Sequence, residues 1–498
     1  MKPKEAITLI NCFEAKYPVH TWRSQGFCFW PILRINADLK MQHAEFSTST
    51  SLSLRERIYS RTKSALEILR SLFEKPESIS ASRNADVVCL SDGISFQKLN
   101  NVYWDKFLDP IRETLASKKH TSLALDPAKN DFTPKHLSFV KIANQLFRAK
   151  ISSLLKVCQI KRQLSRIKEL NDFYNELEQK ELAPFFPGIE ALAIKIAFIR
   201  FEADYFKMLL TNTGARLAIQ VSYYNTDGFA FNLACRELQI PCVDIQHGMT
   251  GAEHPAYGSW TKVPESGFEI LPSFFWSWTE IDVATINDWA KETGGFHRAF
   301  LGKQPLNSYF QTSGKDLFRQ YSDNLARLAD KDHKKNVLIS LQPVFISEKI
   351  LNELLKAIQD SPDNFQWWVR AHPCNTPQEF ALAKGFLVKG HNKNVFFDEA
   401  TDPPLMAVLS NMDLHVTHCS SVVLEALDYD IPSIVIDMFG KELFADLIRN
   451  GKVFYCPPDS DWQKVFKEAL LPTEATCKKE ISYASSGNDT LLKLLGDN

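Results

Sequence analysis

No stretch of the 498 residues reaches the ~18 consecutive apolar residues that suggest a membrane-spanning helix. The densest run, Phe185 to Phe201, is broken by Glu190, Lys195 and Arg200. An excess of positive charge is also missing: 58 Lys and Arg face 59 Asp and Glu, a formal net charge of −1. A general nucleic-acid binder usually shows a basic excess, so no nucleic-acid partner is expected. The ten cysteines contain no CxxC pair, which counts against a zinc ribbon or a thioredoxin-type site. Scattered in apolar runs, they fit a reducing, cytoplasmic setting. The first residues lack the basic start, apolar stretch and cleavage site of a signal peptide. Four motifs are absent as well: GxGxxG, GxxxxGK before Ser or Thr, GxSxG and HExxH. Their absence counts against a dehydrogenase, a P-loop NTPase, an ordinary α/β hydrolase and a zincin. What is present is an ordinary globular composition, 45% hydrophobic and 12% aromatic. At roughly 150 residues per domain the length suggests two to four folded units.

Short β-type runs alternate with helical stretches, the pattern of a parallel α/β sheet. In the first part these runs are Asp86 to Ser91 and Ser122 to Asp126, with helix at 51–73 and 106–117. Residues 134–210 read mostly as helix, an insert. The rhythm returns at Arg216 to Ser222, a strand, then helix 228–238 and strand Pro241 to Ile245. That spacing is the size of a βαβ crossover. A second series begins at Asn336, with strands at 337–341, 365–369, 395–397, 414–417 and 433–436. The expected organisation is a first Rossmann-like domain over 1–310 and a second over 335–460. C-terminal helices over 461–498 have room to pack back on the first domain. Trp22, Arg23 and Trp30 read as packing residues rather than as an acceptor groove.

Open parallel sheets bind ligands at the carboxyl ends of their strands. The polar clusters fall there: Ser222 to Asp227, Gln246-His247-Gly248, Ser340 to Gln342, Arg370 to Pro373, and His418 to Ser421. Two such domains facing each other would bring them into one cleft. Ser420 and Ser421 start a helix, where hydroxyls and free backbone N–H groups suit phosphate. They equally suit an ordinary cap. Glu425 is one turn further and can accept from a ribose. Arg370 and His372 can neutralise a leaving phosphate, and Pro373 holds their turn. His247 titrates near neutrality and suits acid–base work. Gly248 permits close approach. Asp227 can orient His247, act as the base itself, or cap a helix. His415 and His418 lie three apart on a strand, on opposite faces, so they do not share a metal. Asp428-Tyr429-Asp430 reads as a surface turn on the far side of the sheet. No metal site is expected.

Gln-His-Gly, Arg-x-His-Pro and Ser-Ser-x-x-x-Glu-Ala, in that order after strands, resemble bacterial cell-surface polysaccharide glycosyltransferases of GT-B architecture. The likeness is to Kdo and related ulosonic-acid transferases and to sialyl- and polysialyltransferases. It implies a CMP-sugar donor as substrate, with no cofactor and no metal. On that resemblance His372, Ser420 and Ser421 hold the CMP phosphate with help from Arg370, and Ser340, Gln342, Pro373 and Glu425 complete the nucleotide site. Gln246 and Gly248 would touch substrate, and Asp227 or His247 would be catalytic. Thr226 stands where the polysialyl group has an acid. The acceptor would be a glycan or lipid-linked glycan, met in the cytoplasm or at the inner face of the membrane. Gln-His-Gly and Arg-x-His-Pro are also similar to CDP-glycerol polyol-phosphate transferases, which usually carry Asp-Tyr-Ser-Ser where this chain has His418 to Ser421. A non-catalytic protein keeping the same fold is a third reading. Donor sugar, acceptor linkage, stereochemistry and oligomeric state stay open at this level.

Overall fold

The computed structural model describes residues 3–43, 84–128, 132, 134–135, 138–342, 348–372, 375, 377–388, 395–457, 460–471 and 486–496. The helix expected over 51–73 lies outside the described residues, as does Pro373. The chain divides into two compact units. One comprises Met1–Phe96, Asp105–Pro305 and Ser485–Asn498; the other comprises Gln97–Trp104 and Leu306–Ala484. Each is built on an open parallel sheet, so the chain belongs to the α/β class with two Rossmann-like sheets.

The first sheet has seven strands. In spatial order they are Arg298–Leu301, Phe274–Ser277, Cys242–Ile245, Leu217–Val221, Val87–Leu90, Ser122–Asp126 and Phe139–Lys141. All neighbours pair parallel. Leu217–Val221 is buried along its whole length, as a strand covered on both faces must be. Alternate residues feed two cores. Val88, Leu90, Leu123, Leu125 and Ala218 face one, with the N-terminal and insert helices. Val87, Cys89, Ala124, Leu217 and Ile219 face the other, with the helix Leu108–Ser117. Trp22 and Trp30 are buried against Phe173 in the first core, and Arg23 pairs with Glu269. The long insert helix Ile189–Thr213 stops at Gly214, whose φ of 69° suits a residue without Cβ.

The second sheet has six parallel strands. Their spatial order is Val395–Phe396, Phe365–Arg370, Lys335–Ser340, Leu414–Thr417, Ser433–Val435 and Val453–Tyr455. Counted along the chain this is 3-2-1-4-5-6, the Rossmann order.

Several features differ from the sequence reading, among them the unread edge strand Arg298–Leu301. Phe139–Lys141 is an edge strand inside the segment read as helical; three residues carry too little period to show. A hairpin, Phe96–Leu99 with Val102–Asp105, went unread. Its turn residues Asn100 and Asn101 both have positive φ, the geometry that favours Asn in a two-residue hairpin. Leu99 and Trp104 of this hairpin pack with Leu306, Phe310 and Met406, so residues 97–104 belong to the second unit. Finally, the two C-terminal helices separate. Trp462–Ala469 joins the second core, whereas Ser486–Leu495 places Leu491 and Leu495 in the first unit.

Candidate functional sites at the sheet edges

In a doubly wound sheet the strand order reverses at one point, and the loops there diverge to leave a crevice. In the first unit that point lies between Val87–Leu90 and Leu217–Val221. The loop after the first strand brings Asp92, which accepts from the Ile94 and Ser95 backbones at 3.0 and 2.8 Å. The loop after the second brings Tyr223, Tyr224 and Asn225. The Tyr224 hydroxyl meets Nε2 of His247 at 3.0 Å. Nδ1 of His247 is buried and has no hydrogen-bond partner among the described residues. Burial lowers His247 to about 4, opposed by the Asp92 carboxylate and aided by Lys106. His254 is pushed down to about 3, by burial first and then by His247. Its Nδ1 accepts from the Ala256 backbone at 3.1 Å. The edge therefore presents two neutral imidazoles and a phenol near neutral pH.

Asp227 is not the group that orients His247. It lies inside the helix Thr226–Leu238, one turn past the strand end, and the cap is Asn225, which accepts from Gly228 N at 2.7 Å. Asp227 instead pairs with Lys150 at 3.0 Å, and Lys150 pairs with Glu202 at 2.9 Å. These three side chains come from three helices and tie the insert to the sheet. Burial, then the Asp227 charge, raises Glu202 to about 8. Gln246 is likewise committed. Its Oε1 accepts from Trp278 N at 2.6 Å, and its Nε2 donates to Gly248 O at 2.9 Å and Asp282 at 3.3 Å. It holds the loop rather than presenting a free amide to substrate. Gly248 does not have a positive φ, and a Cβ there would meet nothing within 4 Å. Neither backbone angle nor crowding demands glycine at this position.

In the second unit the reversal falls between Lys335–Ser340 and Leu414–Thr417. Past the second of these strands come His418, Cys419, Ser420 and Ser421. His418 Nε2 meets Asp437 at 2.8 Å, and its Nδ1 lies 3.1 Å from the Cys419 sulfur. Burial, the largest single effect, opposes a charge on this ring, but the hydrogen bonds and charges of Asp437 and Cys419 together outweigh it and raise His418 to about 10. An imidazolium thus sits at this edge. Asp437 is itself fixed, since it caps the helix Met438–Leu443 by accepting from Gly440 N at 2.8 Å. Gly440 is required here because a Cβ would collide with the His418 carbonyl oxygen. Ser420 is buried and accepts from Val422 N at 3.3 Å. Ser421 occupies the cap position of Val422–Leu427, yet its side chain makes no capping bond.

Other expected nucleotide contacts are placed differently. Ser340 is buried, with its hydroxyl 2.7 Å from Nε2 of His415. His415 Nδ1 lies 3.0 Å from the Ser433 hydroxyl, so this trio is internal to the sheet. Arg370 donates from Nη1 to the carbonyls of Ala400 and Pro403, at 2.6 and 2.9 Å. It anchors the Asp398–Thr401 helix and the turn after it. Burial lowers it to about 10, against the charges of Glu425 and Asp402. Gln342 O accepts from the Asn375 side chain at 3.4 Å, and Asn375 Oδ1 accepts from His372 N at 2.8 Å. His372 is therefore held in a turn at the same edge. Glu425 is partly exposed on its helix.

Asp92, His254 and Asp437 were missed from sequence, and Tyr224 was read only as part of the cluster Ser222 to Asp227. Each follows a strand within a few residues or lies in a long loop. Asp437 had a usable signal, being the first polar residue after the run Ser433 to Ile436.

No family model matches this chain, and no curated protein matches its sequence. Among solved structures, the chain is similar to the UDP-GlcNAc 2-epimerase of Methanocaldococcus jannaschii in complex with UDP-GlcNAc and UDP. The identity is 12% over 82% of this chain and 99% of that one, with a TM-score of 0.47. It is similar to MurG of Acinetobacter baumannii at 11% identity, covering 77% and 88%, with a TM-score of 0.38. It is also similar to the glycosyltransferase SnogD of Streptomyces nogalater at 12% identity, covering 83% and 94%, with a TM-score of 0.38.

Proposed function

We propose that the chain is a GT-B-type glycosyltransferase that takes its sugar from a nucleotide-linked donor without a metal. The observation that carries this reading is the second sheet's 3-2-1-4-5-6 order, with a cationic His418, Ser420 and Ser421 at its reversal point. A nucleotide phosphate fits such a crevice, where positive charge and hydroxyls stabilise the developing negative charge of the leaving group. Ser421, Ser420 and His372 are the phosphate contacts on this reading. Arg370 and Ser340 support them from behind. His247 serves as base, with Tyr224 setting its orientation. The low value of His247 keeps it in its proton-accepting form through neutral pH. Asp227 holds the helices through Lys150. A second reading keeps Asp227 as the base, and the two separate by mutation.

The finer assignment is a CMP-linked ulosonic acid passed to a bacterial surface glycan; it rests on the motif order Gln246-His247-Gly248, Arg370 to Pro373 and Ser420-Ser421. Thermal shift against CMP, CDP, UDP and GDP tests it, because a ligand of the native state raises the midpoint. CMP should raise the midpoint of the wild type, and Ser421→Ala or His372→Ala should reduce that rise. A rise with UDP alone would overturn the CMP assignment. No rise with any nucleotide would favour the non-catalytic reading, and a response to CDP-glycerol would favour polyol-phosphate transfer. Loss of one general base typically costs ~100-fold or more in rate. His247→Ala should lose transfer on that scale while nucleotide binding persists. If Asp227→Ala does so at unchanged stability instead, Asp227 is the base.

A further inference from the structure

The chain is nearly neutral as a whole, but its charge is unevenly spread. No Asp or Glu occurs from 132 to 168. In the first unit part of this stretch forms the helices Ala143–Ser153 and Val157–Leu164, joined by the single turn Leu154–Lys156. Ile160 and Leu164 point into the core. Lys156, Lys161, Arg162, Arg166 and Lys168 are exposed. The turn breaks this division, because Leu154 is 50% exposed and Leu155 is 89% exposed. No other large hydrophobic among the described residues is as exposed as Leu155. Single exposed leucines are common on soluble proteins and need no account. Two adjacent ones in a turn, followed along the chain by five exposed cations, match a more specific environment.

We propose that this turn docks on the surface of an anionic lipid bilayer, with Leu154 and Leu155 entering the boundary between headgroups and acyl chains. The five exposed cations then face the lipid phosphates. Apolar insertion and attraction to anionic lipid are the two contributions that hold an interfacial segment on a membrane. Two acids temper the patch: Glu190 reaches Lys161 at 3.1 Å and exposed Glu169 follows Lys168, which still leaves the five cations in excess. A single-stranded nucleic-acid site would interleave aromatics with the cations for stacking. Residues 148–168 contain no Phe, Tyr or Trp. The docking is interfacial, since no single described helix is long and apolar enough to cross a membrane. It does not depend on the donor chemistry proposed above.

The test is co-sedimentation of the full chain with phosphatidylcholine vesicles, with and without phosphatidylglycerol. The wild type should sediment with the anionic vesicles only and should be released as salt is raised. Leu154→Ser/Leu155→Ser should lose on the order of 100-fold or more in affinity, the scale of exposing two buried leucines. Each cation near the surface contributes about fivefold, so Lys156→Glu/Lys161→Glu/Arg162→Glu should lose on the order of 100-fold or more. All five positions are exposed, and thermal midpoints equal to wild type check that the variants fold. Two results overturn the proposal: no sedimentation with anionic vesicles, or leucine variants that sediment like the wild type. Equal binding of single-stranded DNA by wild type and leucine variants, with vesicles ignored, would assign the patch to nucleic acid instead.

Discussion

His415 and His418 are three residues apart and have opposite electrostatic lives. His415 is sealed between Ser340 and Ser433, and burial pushes it down to about 3. The unfolded chain takes that proton near ~6.5. Neutral His415 therefore contributes stability above that point, and the contribution is lost as pH falls towards 3. The stability difference between wild type and His415→Asn should shift by about 1.4 kcal/mol per pH unit within this window. Urea unfolding at several acidic pH values reads it, and parallel pH profiles would show that His415 is not held neutral. His418 has the reverse sign. Against burial, Asp437 and Cys419 together raise it to about 10, so its contribution is present below the unfolded value and fades as pH rises through 10. His418 lies one residue past the strand Leu414–Thr417, so strand alternation does not set its direction. Which ring is neutral and which is cationic depends on Ser340 and Ser433, which arrive from other strands, and on Asp437, the cap of the helix Met438–Leu443.

At the scale of elements, strand and helix positions in both sheets were legible wherever the apolar run reached four or five residues. Leu217–Val221, Phe365–Arg370 and Leu414–Thr417 fall within about a residue of where the pattern puts them. Phe139–Lys141 and the Asn100–Asn101 hairpin were not legible, because short edge elements carry little periodicity. The turn from Val221 into the helix Thr226–Leu238 shows what local sequence does control. Asn225 caps the helix through Gly228 N. Gly228 itself lies so close to the Tyr223 backbone that a Cβ would collide with it. Asn225→Ala should cost about 1 kcal/mol, as loss of a cap does. Gly228→Ala should cost about 1–3 kcal/mol from overpacking and should disturb the Tyr224–His247 contact. Chemical denaturation of both variants checks the order; equal midpoints would mean the turn relaxes freely.

At the scale of the whole molecule, the chain returns from the second unit to the first. Ser486–Leu495 returns to the first unit, where Leu491 and Leu495 are buried, and Arg216 Nη1 donates to Leu495 O at 2.7 Å. Deleting residues 486–498 should destabilise the first unit by about 3–6 kcal/mol, the scale of two buried leucines. Hydrogen exchange should then rise in Leu217–Val221 but not in Leu414–Thr417; uniform exchange would argue against separate units. The sequence by itself determined the α/β class, the two parallel sheets and the polar character of their carboxyl edges. These follow from apolar period and from what ends each strand, which are local properties. Only the tertiary structure decided the partners: Tyr224 rather than Asp227 on His247, Asp437 on His418, carbonyls on Arg370. Partner choice joins residues from different strands and helices, and no local pattern encodes that distance in space.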